Sequence, residues 1–377
     1  MPDDVIGRKL PEQVYQVRQG EFGAIPGSPW VYWLGQAFIR LFKELPILGQ
    51  YAKPTVGLQT SDNFRFFRLW WEVGENKVFR RCKSRLDAEL SGKKWFPISK
   101  GSRTFRWGGF EYEVINWIKD GLEVASNPGA VIRSPENYFL QGITLTRVGP
   151  SGFSARINPG GCLLDSSNSA CFPSNSFELS NLLAILNSSY AATLLSAINP
   201  TINFQAGDLY NLPIPTHNFS IIIELLVSNI LFQTKLLVFL DELTADFILP
   251  PFGNVNNHYS LTPLQTIEKL ELEIDNEVSS LLNLVQDDVR AISAELSKNQ
   301  AEETDNIKEN QYLEEPEESI IYLLPQKRAI YFISYAYGVI FSRFHPGTPG
   351  ALGSAIYRRS DFAIGSLPEP SEEEFNE

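Results

Sequence analysis

Soft-metal and redox chemistry has little to work with in this chain: its 377 residues include three cysteines, three histidines and one methionine. Cys82, Cys162 and Cys171 are too few and too widely spaced for a disulfide framework. None forms the paired C-x-x-C, or has the histidine neighbour, that a structural zinc site needs. A reducing, cytoplasmic setting is the default that follows. His217, His258 and His345 each stand alone beside loops or proline, without a serine or cysteine nucleophile motif, so surface or capping roles are expected of them. Long apolar runs are missing too. Residues 221–240 are interrupted by Glu224, Asn229, Gln233 and Lys235, and residues 329–341 fall short of the roughly 20 that a membrane span requires. Both are expected as buried helices, with no membrane partner. The opening Met1-Pro2-Asp3-Asp4 lacks the basic-then-apolar pattern of a signal peptide.

Catalytic signatures are equally sparse, and no catalytic, cofactor-binding or metal-binding residue is nominated. Gly108-Gly109 and the Gly149/Gly152 pair are isolated, with no strand, Gly-rich turn and distal acid to cradle a nucleotide-like cofactor. Methyl transfer to a base amine needs Asn, Asp or Ser before Pro-Pro and an aromatic ring, the polar group accepting from the amine while the ring stacks on the extruded base. The chain offers Leu249-Pro250-Pro251-Phe252, whose leucine has no acceptor, and this reads as a turn. Asp62 followed by Glu75-Asn76-Lys77 has the spacing of a magnesium-dependent nuclease, in which carboxylates hold the metal and the lysine positions water. No proline precedes Asp62 and Glu75 lies in a Gly-Glu-Asn turn, so a nuclease stands as an alternative, beside a protein-interaction remnant.

Charge is abundant but unevenly placed. The whole chain has a formal net charge of -12, which by itself argues against a polyanionic partner. Residues 1–150 nevertheless hold 21 Lys+Arg against 15 Asp+Glu, whereas residues 151–377 hold 11 against 29. The basic excess concentrates in residues 51–100, with 11 Lys+Arg and 5 Asp+Glu. That is an electrostatic footprint irrespective of the total. It coincides with the aromatic run Asn63-Phe64-Arg65-Phe66-Phe67-Arg68-Leu69-Trp70-Trp71, followed by Lys93-Lys94-Trp95 and by Lys100-Gly101-Ser102-Arg103-Thr104-Phe105-Arg106-Trp107. Rings beside guanidinium and ammonium groups can hold bases and phosphates together. A competing reading buries alternating Phe64, Phe66 and Trp70 in a core strand and leaves Arg65 and Arg68 merely solvated. Candidate DNA-binding residues are Arg65, Arg68, Lys93, Lys94, Lys100, Arg103, Arg106 and Arg156. Tyr138 and Phe139 are weighed as additions, with a core role at least as good for Phe139.

Along the chain, Ser28-Pro29 opens a helix carrying Trp30, Trp33, Leu34, Phe38, Leu41 and Phe42 at helical spacing and ended by Pro46. From Thr55 to Phe172 short stretches of Val, Ile, Phe, Tyr and Trp alternate with Gly, Pro and Asn signals, which is strand-and-turn language; residues 111–118 fit strand or helix. One helix is expected from Phe177 to Ala197, striped by Leu179, Leu182, Leu183, Leu186, Tyr190 and Leu194. Another is expected from Ser220 to Phe247. A third starts at Thr262-Pro263, with Gln265 in capping-box position and a stripe of Ile267, Leu270, Ile274, Val278 and Leu281. The fold class is therefore α+β: a mixed, strand-rich domain followed by a mainly helical C-terminal one. The expected divisions are an extension over 1–25, the strand-rich domain over 26–216, a helical domain over 217–294, an acidic linker over 295–319, a C-terminal helix over 320–345 and a disordered tail over 346–377.

Several stretches, in this order, resemble the C-terminal half of PglX, the large adenine-specific DNA methyltransferases of BREX phage-defence systems, related to Taq-type and type IIG enzymes. They are Ile25-Pro26-Gly27-Ser28-Pro29, residues 57–70 (Gly57 to Trp70), Lys94-Trp95-Phe96-Pro97, Gly142-Ile143-Thr144, Gly152-Phe153-Ser154-Ala155-Arg156, Leu186-Asn187-Ser188, Asn199-Pro200-Thr201-Ile202-Asn203-Phe204-Gln205, Leu212-Pro213-Ile214-Pro215 and residues 332–343. At Ser61 and Ser102 the family more usually has glycine. The resemblance implies a target-recognition domain over 26–216 with double-stranded DNA as ligand. It implies the recognition part of a split or truncated N6-adenine methyltransferase, without its own AdoMet-binding and catalytic motifs. S-adenosylmethionine is then expected on a separate catalytic chain, which joins other BREX components as a partner.

Overall fold

A computed structural model describes residues 23, 25–27, 34–73, 77–100, 106–108, 112–146, 153–173, 176–199, 204–215, 220–238, 261–285, 333–338 and 340. Helices and sheets are both present, in keeping with the α+β class. The first helix, α1, spans Gln36–Glu44 and buries Phe38, Ile39 and Leu41. Its N-cap is Gly35, without a side-chain cap, so the predicted start at Ser28 is not where this helix begins; residues 28–33 lie outside the described residues. A short α2, Leu48–Tyr51, follows Pro46.

Among the described residues, eight strands form two sheets. The first has the order β1-β8-β5-β6, built from β1 (Thr55–Val56), β5 (Gly142–Thr146), β6 (Ala155–Asn158) and β8 (Asn168–Cys171), all antiparallel. The second has the order β2-β4-β3-β7, built from β2 (Phe67–Leu69), β3 (Trp95–Ser99), β4 (Glu113–Asn116) and β7 (Leu163–Leu164), with β3 and β7 parallel. The stretch that fitted strand or helix is strand β4. Every residue of β3 and β5 is buried. In β3 this matches a nearly continuous apolar run, whereas β5 alternates Ile143 and Leu145 with Thr144 and Thr146, which are buried polar residues.

The aromatic run does not continue as strand through its start. Asn63–Phe66 is a helical turn, α3, because the Asp62 side chain caps it by accepting from the Arg65 N–H, and the chain turns extended only at Phe67. The two-residue alternation expected for Phe64, Phe66 and Trp70 fails there: Phe66 and Trp70 are buried, and Phe64 is 92% exposed. Just before the turn, Ser61 has φ +60. This is left-handed backbone that favours glycine, which accounts for glycine being the usual residue of the resembling family there.

The long helix expected over 177–197 is two helices, α6 (Ser176–Asn187) and α7 (Ser189–Ile198), bent by 65°. Two polar side chains break it. Ser188 takes extended backbone and caps α7 by accepting from the Ala191 N–H. Asn187 turns to the sheet, accepting from the Ala155 N–H (2.9 Å) and donating to the Ala155 carbonyl (2.8 Å). A polar residue that satisfies a neighbouring strand and a new cap outweighs one continuous helical ladder. The apolar stripe survives the bend, with Leu179, Leu182, Leu183, Leu186, Tyr190 and Leu194 all buried.

After α8 (Ala206–Tyr210), the chain's second half holds helices α9 (Ile221–Val238) and α10 (Leu261–Leu281), and residues 333–338, within the helix expected over 320–345, are helical too. Helix α10 is described from Leu261 onward, and the residues just before it lie outside the described ones. One core joins α1, the first sheet and helices α6, α7, α9 and α10 through residues such as Phe38, Ile143, Leu182, Leu194, Val227 and Ile274. The second sheet has its own smaller cores, one around Phe66, Phe96, Ile115, Trp117 and Leu163 and one around Trp70, Trp95 and Val114. Helix α9 is apolar and long enough to cross a membrane, the one such helix among the described residues. It places Ile223, Val227 and Ile230 in the first core and also buries Thr234 and Val238.

Candidate nucleic-acid interface

The basic residues of the aromatic run sit along the second sheet and the short helices beside it. Arg65 projects from α3, with its guanidinium carbon 5.0 Å from the centre of the Phe66 ring and Nη2 2.8 Å from Glu123 Oε1. Glu123 belongs to α5 (Ile118–Ala125), whose first residues Lys119, Asp120 and Gly121 take left-handed backbone. Hydrogen bonds from Arg65 and then Asn116 hold the Glu123 carboxyl below the usual carboxylate range, and Lys94 adds a favourable field. Arg65 and Lys94 therefore flank one acid. Lys94 is exposed, its Nζ 5.2 Å from the Trp95 ring centre, in the turn that follows α4 (Arg85–Ser91) and its left-handed cap Gly92. Lys93, beside it, is half-buried and donates its backbone N–H to Ser91 Oγ.

Lys100 closes β3 and lies over the Phe67 ring (5.2 Å) while pairing with Glu113 at 3.0 Å. Arg68 is half-buried and local in its bonding, donating to the Phe64 and Phe67 carbonyls at 2.7 and 2.6 Å. Arg106 is exposed and stands 3.6 Å from Glu271 of α10, whose same oxygen accepts from Trp107 Nε1 at 2.6 Å. Arg103 lies outside the described residues.

Arg156 differs from the others. It is 5% exposed within β6, donates to Thr144 Oγ1 (3.2 Å) and to the Lys100 carbonyl, and ties the first sheet to the end of β3. A guanidinium bound inside the fold offers no face to a phosphate, so Arg156 leaves the candidate surface and becomes a structural crosslink. Tyr138 and Phe139 are likewise core residues. Arg65, Lys94 and Lys100 each lie over a different ring, of Phe66, Trp95 and Phe67, while Arg68 bonds its own turn and Arg106 stands at the seam with α10.

The other chemistries fare as follows. Asp62 of the nuclease spacing is engaged as the α3 cap, and Glu75 lies outside the described residues. So do all three histidines. The cysteines are buried, with burial pushing the Cys82 thiol up to about 11 and Cys171 to about 12, which disfavours the nucleophilic thiolate.

What sequence reasoning missed is the acid beside each cation. Glu123 and Glu271 come from far along the chain, and Glu113, 13 residues from Lys100, is brought beside it by the pairing of β3 with β4; no local spacing signals them. Arg85, whose Nε reaches both Asp120 oxygens at 3.1 and 3.0 Å, was equally hidden. Exposed Arg81 and Lys83 could have been found, since they stand in the basic run 80–85.

Two curated proteins align with this chain. The adenine-specific methyltransferase BrxX of Escherichia coli O9:H4 (strain HS) is 41% identical over 204 residues, which is 53% of this chain and 16% of that protein. The adenine-specific methyltransferase PglX of Lacticaseibacillus casei (strain Zhang) is 28% identical over 356 residues, 89% of this chain and 28% of that protein. The chain is homologous to these BREX methyltransferases. It spans less than a third of the length of either BREX relative. No family model matches the chain. Among solved structures, the type IIL restriction-modification enzyme MmeI in complex with DNA aligns over 69% of this chain and 36% of its own, with a TM-score of 0.38 and 10% identity.

Proposed function

We propose that this chain is the DNA-recognition part of an N6-adenine methyltransferase of a BREX-type phage-defence system. The observation that carries the reading is homology to adenine-specific methyltransferases over a sequence whose Pro-Pro-aromatic stretch, Leu249-Pro250-Pro251-Phe252, has no acceptor for an adenine amine. Recognition and chemistry are then divided: this chain grips duplex DNA, and a separate catalytic region, a partner chain or domain, binds S-adenosylmethionine. Other BREX components complete the assembly, in the cytoplasm where the DNA lies.

The electrostatics support the grip. Arg65, Lys94 and Arg106 are exposed, and the ion pairs of Arg65 and Arg106 are at the surface. An exposed pair contributes only about 0–1 kcal/mol. A phosphate lattice that releases counterions on contact outcompetes so weak a partner. The acids therefore hold the cations in place without neutralising the surface toward DNA. Base reading falls to side chains of the adjoining loops.

The test is salt-dependent binding of the full chain to a duplex pool. Affinity should fall steeply with salt, and Lys94→Gln and Arg106→Gln should each lower the log–log slope by about 1. No binding, or an affinity indifferent to salt, overturns the proposal, as does calorimetric binding of S-adenosylmethionine to this chain alone.

A further inference from the structure

We infer that Phe64 is an aromatic wedge that enters a base step of bound duplex DNA, an inference that rests on the DNA-recognition reading. At 92% exposure it is the most solvated large hydrophobic side chain among the described residues. Its backbone is held on several sides. The Asp62 carboxylate accepts from the Arg65 N–H at 3.0 Å, the Thr60 hydroxyl donates to the Asn63 carboxamide at 2.6 Å, and the Arg68 guanidinium donates to the Phe64 carbonyl at 2.7 Å. Beyond Arg65, Phe66 and Phe67 are buried and fasten the turn to the core. A ring fixed in water forgoes the burial that its neighbours obtain. Such placement marks a contact surface.

The charge around the ring selects the occupant. Asn63 and Arg65, the residues on either side, are exposed, and Arg68 follows one turn later. The centre of a protein–protein interface is depleted of charge. A wedge that parts stacked bases is an apolar group beside Arg, Lys, Asn or Gln side chains that meet the groove and its phosphates, as Phe64 stands between Asn63 and Arg65. A flat ring also suits any base, since each offers a π face.

The experiment uses the full chain and a pool of random-sequence duplexes with donor and acceptor dyes at the two ends, reading affinity and end-to-end energy transfer together. The wild type is expected to bind and to shorten the end-to-end distance. Phe64→Ala should bind about tenfold more weakly, the loss of one base–aromatic contact, and leave the duplex straight; Phe64→Tyr should keep both properties. Phe64→Ala that binds and bends like the wild type overturns the wedge and leaves DNA recognition standing. Phe64→Ala that keeps its DNA behaviour but loses association with a catalytic methyltransferase chain overturns it in favour of a protein contact. Absence of binding by the wild type overturns both readings.

Discussion

Arg156 and Arg65 each stand in a run that reads as strand, yet the fold treats them oppositely. Arg156 lies in the first sheet, which shares one extended core with α1 and helices α6, α7, α9 and α10. Its charge is consumed by Thr144 and the Lys100 carbonyl. Arg65 lies beside the second sheet, whose cores are small and aromatic, and its charge stays half in solvent against Glu123. The difference is one of depth. Where helices cover a sheet, a polar group must be satisfied inside the protein; where they do not, cations can remain available to a ligand. The first sheet is the framework and the second carries the surface.

The contrast is sharpest at Asn187. Replacing it with alanine leaves the Ala155 N–H unpaired beside the first sheet, while the Ala155 carbonyl keeps the Trp107 N–H, and should cost about 2 kcal/mol in urea unfolding. A loss below about 1 kcal/mol would contradict the role given to this contact. Glu271→Gln probes the seam between the two regions. Glutamine still accepts from Trp107 but frees Arg106, so DNA affinity at low salt should rise about threefold with little change in stability. Unchanged affinity would detach Arg106 from the interface. Ser61→Gly, relieving left-handed backbone ahead of the Phe64 turn, should raise stability by about 0.5 kcal/mol, since the strain removed slightly exceeds the entropy glycine adds to the unfolded chain.

The smallest effect concerns pH. Because Arg65 and Asn116 hold the Glu123 carboxyl below its ordinary range, the pair's contribution is complete above the unfolded pKa and is lost as pH falls through the lowered folded value. Carboxyl chemical shifts should follow this low titration in the wild type and move back toward the ordinary carboxylate range in Arg65→Gln, where Asn116 still donates to Glu123.

Much of the architecture was legible before the structure. Turn signals between short aromatic stretches marked the strands, and the stripes of Leu182, Leu186 and Leu194 and of Leu270, Ile274 and Val278 marked buried helix faces. The bend at Ser188 was not legible, because it depends on Ala155 lying within reach of Asn187. The burial of Arg156 and the exposure of Phe64 were hidden for a similar reason. Local spacing reports which residues share a face, while the partner that covers a face comes from elsewhere in the chain.

By itself, the sequence determined where cations and rings accumulate, which stretches turn and which stay apolar, because these follow from covalent order and side-chain type. Tertiary structure decided which cation is spent in the interior, which acid stands beside each of the others, and which ring is left in water. Burial and pairing are properties of three-dimensional neighbours, and those neighbours are set by sheet registry and helix docking across the whole chain.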